Sequence, residues 1–341
     1  MSPRAAPVAI NARAAVRREI GGVERVAREL VHHLPALRPD RYRVIAPRPA
    51  LAHARGQAWE QAVLPVLARG SRLILCPANL APVTATNAVV MIYDVAPFLG
   101  EWYSSAFARW HRLVVPVIAR RAPLVLTTSR VAAGQITEHL GVDPRRIARI
   151  PLGVAERFAS PVDPEPLKQR LALDRPYVLS VGTDLPRKNL ALLDRIAPRL
   201  AREGLEVILA GSTRSYMPRG HYRVRSLDYR DEADLPGLYA GAAALAVPSL
   251  YEGFGLPCLE AMAAGTPVVS SNRGALPETC GQAALLVDPD DEDAFARALL
   301  RASSPGPERD RLIAAGRRRA AAFTWRAAAQ RLDGALDPLL T

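Results

Sequence analysis

Apolar residues along the chain fall into short continuous runs, separated by longer stretches in which they recur every three or four positions. In the first half the runs are Val8–Asn11, Tyr42–Ala46, Leu73–Cys76, Ala88–Ile92, Pro123–Thr128 and Ile147–Leu152. In the second half they are Tyr177–Val181, Leu205–Ala210, Ala242–Val247, Thr266–Ser271 and Ala283–Val287. Uninterrupted runs of this length suit strands buried on both faces of a parallel sheet. Between them lie helical patterns. Val23, Val26, Ala27, Leu30 and Val31 share one helix face, and further helices are predicted over 58–68, from Leu190, over 233–240 and over 257–265. Thr128 or Ser129 caps the helix that follows the fifth run, and Asp288 or Asp290 caps the last large one. Strand and helix alternating along a chain define an α/β fold.

The chain has 341 residues, which suits two domains rather than one core. The stretch 159–176, with prolines at 161, 164, 166 and 176, reads as the linker. Charge is uneven: residues 1–170 carry 24 Lys+Arg against 12 Asp+Glu, and residues 171–341 carry 21 against 21. The basic half suits a phosphorylated acceptor or an anionic membrane surface. Nucleic acid is set aside, because basic-aromatic stacking motifs and helix-turn-helix or zinc-finger spacings are missing. Cys76, Cys258 and Cys280 are scattered and odd in number, which fits a reducing compartment and no metal set. A secretory leader is not expected, and no apolar run reaches the roughly 20 residues of a membrane span.

The candidate chemistry gathers where strands end. After Ala242–Val247 comes PSLYEGFGLPCLEAMAAGTP, with Glu252 on a glycine-containing loop and Glu260 on the helix that Pro257 begins. A strand, a glycine loop and a helix start together place an anionic ligand beyond a sheet's carboxyl edge. By spacing alone the two glutamates fit equally well on a solvent face. Gly21 and Gly22 stand before the first helix, as a phosphate contact or as a simple turn. Tyr177–Val181 leads into GTDLPRKN, where Arg187 and Lys188 can neutralise two phosphates or merely crowd a surface. Tyr93 and Asp94 close the Ala88–Ile92 run. Glu101, Trp102 and the helix FARWHRLVVPVIARR form a candidate binding surface, unless Trp102, Trp110 and His111 pack inward.

These blocks, taken in order, resemble the retaining glycosyltransferases of family 4, with the GT-B fold. Glu252 and Glu260 match the family's E-x7-E signature, and the likeness runs from GGVERVAREL near residue 21 to FTW at 323. Polysaccharide mannosyl- and rhamnosyltransferases are the most similar in appearance. The resemblance implies two Rossmann-like domains facing across a cleft: 1–158 on the acceptor side, a linker at 159–176, a nucleotide-sugar domain at 177–322, and a terminal helix at 323–341 crossing back to the first domain. It implies transfer of a hexose, with mannose from GDP-mannose the first expectation and a dTDP- or UDP-sugar the alternative, to a growing glycan or a lipid-linked acceptor. A non-catalytic nucleotide-sugar-binding module is the other class to weigh.

By the same resemblance Glu252, Lys188 and Asp94 carry catalysis. Gly21, Gly22, Arg187, Lys188, Gly253, Phe254, Gly255, Leu256 and Glu260 bind the donor, with Glu260 on its ribose. Tyr93, Glu101, Trp102 and Ser129 touch sugar or acceptor. No metal and no cofactor are expected. The implied location is cytoplasmic, with peripheral contact at the anionic inner membrane face. Four positions depart from the family pattern: Tyr93 stands where a histidine is usual, Thr183 where an arginine often follows the glycine, Arg130 where an acid is common, and the arginine-rich segment 214–230 replaces a glycine-containing form.

Overall fold

The computed structural model describes residues 7–18, 21–53, 56–211, 222–228 and 232–341. Most of the arginine-rich segment 214–230 therefore lies outside the described residues. The chain divides into two compact units. One holds the described residues up to Glu101, with Ser105–Gly153 and Trp325–Thr341; the other holds Trp102–Ser104 and Val154–Thr324.

The first unit contains a parallel sheet of six strands: β1 (Val8–Asn11), β2 (Tyr42–Ile45), β3 (Leu73–Cys76), β4 (Ala88–Met91), β5 (Val125–Thr127) and β6 (Ile147–Arg149). Their spatial order is β2-β1-β3-β4-β5-β6, so the direction of winding reverses between β1 and β3. Every residue of β1, β3 and β4 is buried, as strands covered by helices on both faces require. Edge strand β2 instead exposes Arg43 and Val44. The helix Gly22–Leu37 packs against the terminal helix Trp325–Leu340. Asp333 of that helix is buried and held by Arg38 at 2.8 Å, Arg41 at 3.1 Å and the Tyr42 hydroxyl at 2.5 Å.

The second unit repeats the plan with β7 (Tyr177–Val181), β8 (Glu206–Gly211), β9 (Arg225–Asp228), β10 (Ala244–Val247), β11 (Val268–Ser271) and β12 (Leu285–Val287). Its order, β12-β11-β10-β7-β8-β9, is that of dinucleotide-binding folds, with the switch point between β7 and β10. Ligands of such sheets bind outside the carboxyl ends of the two strands flanking that point. GTDLPRKN leaves β7 and PSLYEGFGL leaves β10, so the topology sets side by side two loops far apart in sequence.

Several local expectations are corrected. The stretch 159–176 is not all linker: its prolines leave room for a helix at Glu165–Arg170, because proline is at home in a first helical turn. The 58–68 helix contains a widened π-helical segment, Trp59–Val63. The helix of the DPDDED region, Glu292–Ser303, is not the last large one, since Pro307–Ala321 and Trp325–Leu340 follow. It is capped by Asp291, whose carboxylate accepts from Ala294 N at 2.8 Å. Asp288 and Asp290 instead pair with Arg273 at 2.9 and 3.0 Å.

Candidate active site

The loop after β10 is built around Gly255, which caps the helix Leu256–Ala264 with φ at 96°. A Cβ there would push aside the Leu276 Cδ2 methyl, 2.6 Å away, but it is the left-handed backbone that demands glycine. Gly274 serves the same loop from the other side: a Cβ on it would lie 2.7 Å from the Glu252 carbonyl oxygen. That close approach lets Ala275 N donate to Glu252 O at 2.9 Å. Phe254 is buried, and its carbonyl accepts from the Thr279 hydroxyl.

Glu252 is the centre of the second unit's polar cluster. Lys188 Nζ and the Ser249 hydroxyl, the latter at 2.9 Å, both donate to its Oε1, while Arg187 Nη1 reaches Oε2 at 3.1 Å. The same Arg187 nitrogen donates to Tyr251 O at 2.9 Å, and Leu250 N donates to Arg187 O at 2.7 Å. The two loops are therefore stitched through backbone as well as charge. Burial is the strongest single influence on Glu252 and opposes its ionisation. Lys188 and Arg187, with the Ser249 and Lys188 hydrogen bonds, together outweigh it and hold the carboxyl at about 2. This glutamate is a permanent anion between two cations.

Glu260, one turn into the helix, is buried, and its Oε2 accepts from the Tyr239 hydroxyl at 2.9 Å. Trp102 groups with this unit, its ring stacked on Tyr251 at 5.9 Å between centroids and 14° between planes. Thr183, in the place of the family arginine, is partly exposed beside the basic turn.

In the first unit the glycine pair opens the helix Gly22–Leu37. Glu24 Oε2 accepts from Gly21 N at 3.0 Å, and Arg17 Nη1 holds Glu24 Oε1 at 3.0 Å. Nothing lies within 4 Å of where a Gly22 Cβ would stand. The protein's own packing thus leaves that space open. Asp94 Oδ1 accepts from Ala96 N at 3.0 Å, starting the short helix Ala96–Leu99. Tyr93 is buried and its hydroxyl donates to Pro77 O at 2.6 Å. Burial, with Glu24 adding to it, raises its phenol well above the usual range, so Tyr93 stays a neutral donor. Ser129 is a buried helix cap accepting from Ala132 N at 3.1 Å. Glu101 is exposed. His111 is kept from protonating chiefly by burial, against the Phe107 carbonyl and the charge of Asp94.

The structure thus brings Arg187, Lys188, Glu252 and the 253–256 loop together in one unit, and Gly21, Gly22, Tyr93 and Asp94 lie in the other. Two partners escaped sequence reading. Ser249 had a local signal, three residues ahead of Glu252 in a polar turn. Tyr239, 21 residues before Glu260, had none.

Two doubly wound parallel units, with cations and a carboxylate at the switch point of the second, match the GT-B fold of glycosyltransferases. Solved structures share this fold: sucrose-phosphate synthase from Thermosynechococcus elongatus has a TM-score of 0.76 at 21% identity, covering 96% of this chain and 98% of that one. Anabaena HepE, solved with UDP-glucose, has a TM-score of 0.74 at 19% identity, covering 97% and 99%. The family model for glycosyl transferases group 1 matches residues 175–304. The Escherichia coli O-antigen chain mannosyltransferase B is 32% identical over 292 residues, covering 81% of this chain and 75% of that protein. The MMP alpha-(1->4)-mannosyltransferase of Mycolicibacterium hassiacum is also 32% identical, covering 67% of this chain and 57% of its own. The chain belongs to the group 1 glycosyltransferases.

Proposed function

We propose that this glycosyltransferase moves mannose from GDP-mannose, with retention of anomeric configuration, to a growing glycan or lipid-linked acceptor in polysaccharide or glycolipid biosynthesis. The observation that carries the reading is the cluster of Arg187, Lys188 and Glu252 at the β7/β10 switch point. The mannosyltransferase relatives support the choice of sugar.

The chemistry follows from the charges. Breaking the bond between the sugar's anomeric carbon and the diphosphate leaves negative charge on the phosphate oxygens. Arg187, Lys188 and the amino end of the helix Leu256–Ala264 meet that charge as it grows, which is the large electrostatic part of catalysis for such a leaving group. Before the donor arrives Glu252 pairs with both cations and offsets one of their two charges, so the turn keeps a net positive charge that attracts the diphosphate. Glu252, fixed by Ser249 and fully ionised, then accepts hydrogen bonds from sugar hydroxyls. Glu260 accepts from the ribose hydroxyls. Gly22 leaves open space for a close backbone approach by the donor, and Asp94 orients the transferred sugar. The proposed reaction uses no metal ion or other cofactor. Among the described residues no group of three or more His, Cys, Asp or Glu is placed to hold a metal ion.

The basic first half supports peripheral contact with an anionic membrane surface on the cytoplasmic side. On the helix Ser105–Arg121, Arg109, Arg112, Leu113, Arg120 and Arg121 are exposed. No described helix is long and apolar enough to cross a membrane. Calorimetry against GDP, UDP and dTDP tests the donor: tightest binding of GDP supports the proposal, and tighter UDP or dTDP overturns it in favour of a glucosyl or rhamnosyl donor. Sedimentation with anionic and neutral liposomes tests the membrane contact. Salt-sensitive binding to the anionic vesicles is expected, and its absence leaves a soluble acceptor.

A further inference from the structure

We infer that Tyr239 is a positioning residue that fixes the Glu260 carboxylate and thereby sets a preference for ribonucleotide over deoxyribonucleotide donors. This rests on Glu260 being the ribose contact.

Glu260 sits in the middle of a helix that is buried almost all round. A carboxylate in such a place must be hydrogen-bonded, and the bonds it makes decide which way its plane lies. The Tyr239 hydroxyl donates to Oε2 at 2.9 Å. Tyr239 is itself completely buried and gripped from several sides. The Thr266 hydroxyl donates to its carbonyl at 2.5 Å, and the Phe158 ring meets its ring edge-on at 5.7 Å and 74°. Phe158 is covered in turn by the Arg157 guanidinium, 5.1 Å from the ring centroid, and Arg157 is tied to Glu232 at 2.6 Å. The phenol therefore cannot swing, and the carboxylate it holds has one orientation in the helix.

A ribose presents two adjacent hydroxyls, and a carboxylate can accept from both only when its plane matches theirs. A 2′-deoxyribose offers one. Losing a hydrogen bond to a charged group lowers affinity by roughly 10- to 100-fold, provided the acceptor is held in place. If the carboxylate can turn, it re-pairs and most of the discrimination disappears. Tyr239 is thus expected to govern the ratio between the two nucleotides more than the packing of the fold, and Tyr239→Phe removes only the O–H while keeping the ring.

The test is calorimetric affinity for GDP and 2′-deoxy-GDP, with UDP and 2′-deoxy-UDP in parallel, on wild type, Tyr239→Phe and Glu260→Ala. Wild type should prefer the ribonucleotide by about tenfold or more. Tyr239→Phe should shrink that ratio to about two- or threefold by weakening the ribonucleotide more than its deoxy counterpart, and Glu260→Ala should bring it to about one. A ratio that survives in Glu260→Ala overturns the ribose reading itself. A ratio erased in Glu260→Ala yet intact in Tyr239→Phe leaves that reading standing and overturns the role of Tyr239. Equal weakening of both nucleotides in Tyr239→Phe would mark the phenol as structural only, and overturns it too.

Discussion

Replacing Lys188 by alanine separates the two roles of the Glu252 cluster. The side chains of Lys188 and Glu252 are 14% and 9% exposed, so their attraction is little screened. The drop of Glu252 from an ordinary 4.5 to about 2 corresponds to about 3 kcal/mol at roughly 1.4 kcal/mol per pH unit. That sum is already net of desolvation, and it is shared among Lys188, Arg187 and Ser249. Lys188 has the largest favourable part, so its loss should destabilise the second unit by about 2 kcal/mol. The remaining carboxylate is then buried with one cation fewer.

Scanning calorimetry should show this as a fall of about 4–8 °C in the unfolding temperature. The double variant Lys188→Ala/Glu252→Ala should recover about half of the loss, since it no longer buries an under-compensated charge. Initial transfer rates should behave differently. Lys188→Ala loses about 100-fold or more, and the double variant recovers none of it. Additive stability changes would refute the buried pair. Rates that recover together with stability would show that Lys188 acts only by holding the fold.

Glu260→Ala should raise the donor KM with kcat largely kept, because ribose contacts are present before and during transfer; initial rates over a donor range decide it. Asp94→Ala should do the reverse, lowering kcat more than affinity. Tyr93→Phe should cost at most a few-fold in kcat, since the phenol already donates to Pro77 O, and a loss of about 100-fold would assign that hydroxyl to the sugar. In acid, the stability from Glu252 is fully present above its unfolded value near 4.5 and disappears as pH falls towards about 2. Chemical denaturation between these pH values should show a wild-type slope that Glu252→Gln flattens.

The strands were legible because parallel strands buried on both faces must be written as unbroken apolar runs, as in Ala88–Met91 and Ala244–Val247. The loops were legible through their chemistry: Glu252 and Lys188 stand just beyond strand ends, and Glu260 on the helix that follows the first of them. Their pairing was not, since Lys188 and Glu252 lie 64 residues apart and only the strand order unites them. Helix caps in DPDDED could not be chosen locally, because any of its aspartates can cap. Arg273 decides the matter by taking Asp288 and Asp290. The π-helical Trp59–Val63 segment buries Glu60 against Arg13 at 2.7 Å and Asn11 at 2.5 Å, a long-range network with no periodic signature. Tyr93 is expected at the sugar from the resemblance, and the fold adds that its hydroxyl donates to Pro77 O, a partner no local pattern shows.

The most direct test of the account is a transfer assay with GDP-mannose and a defined glycan acceptor, with the anomeric configuration of the product read by NMR. The account predicts an α-linked mannoside from the α-linked donor by the wild-type protein, and rates lowered about 100-fold or more in both Lys188→Ala and Glu252→Ala. An inverted product, or near-wild-type rates in both variants, would contradict it.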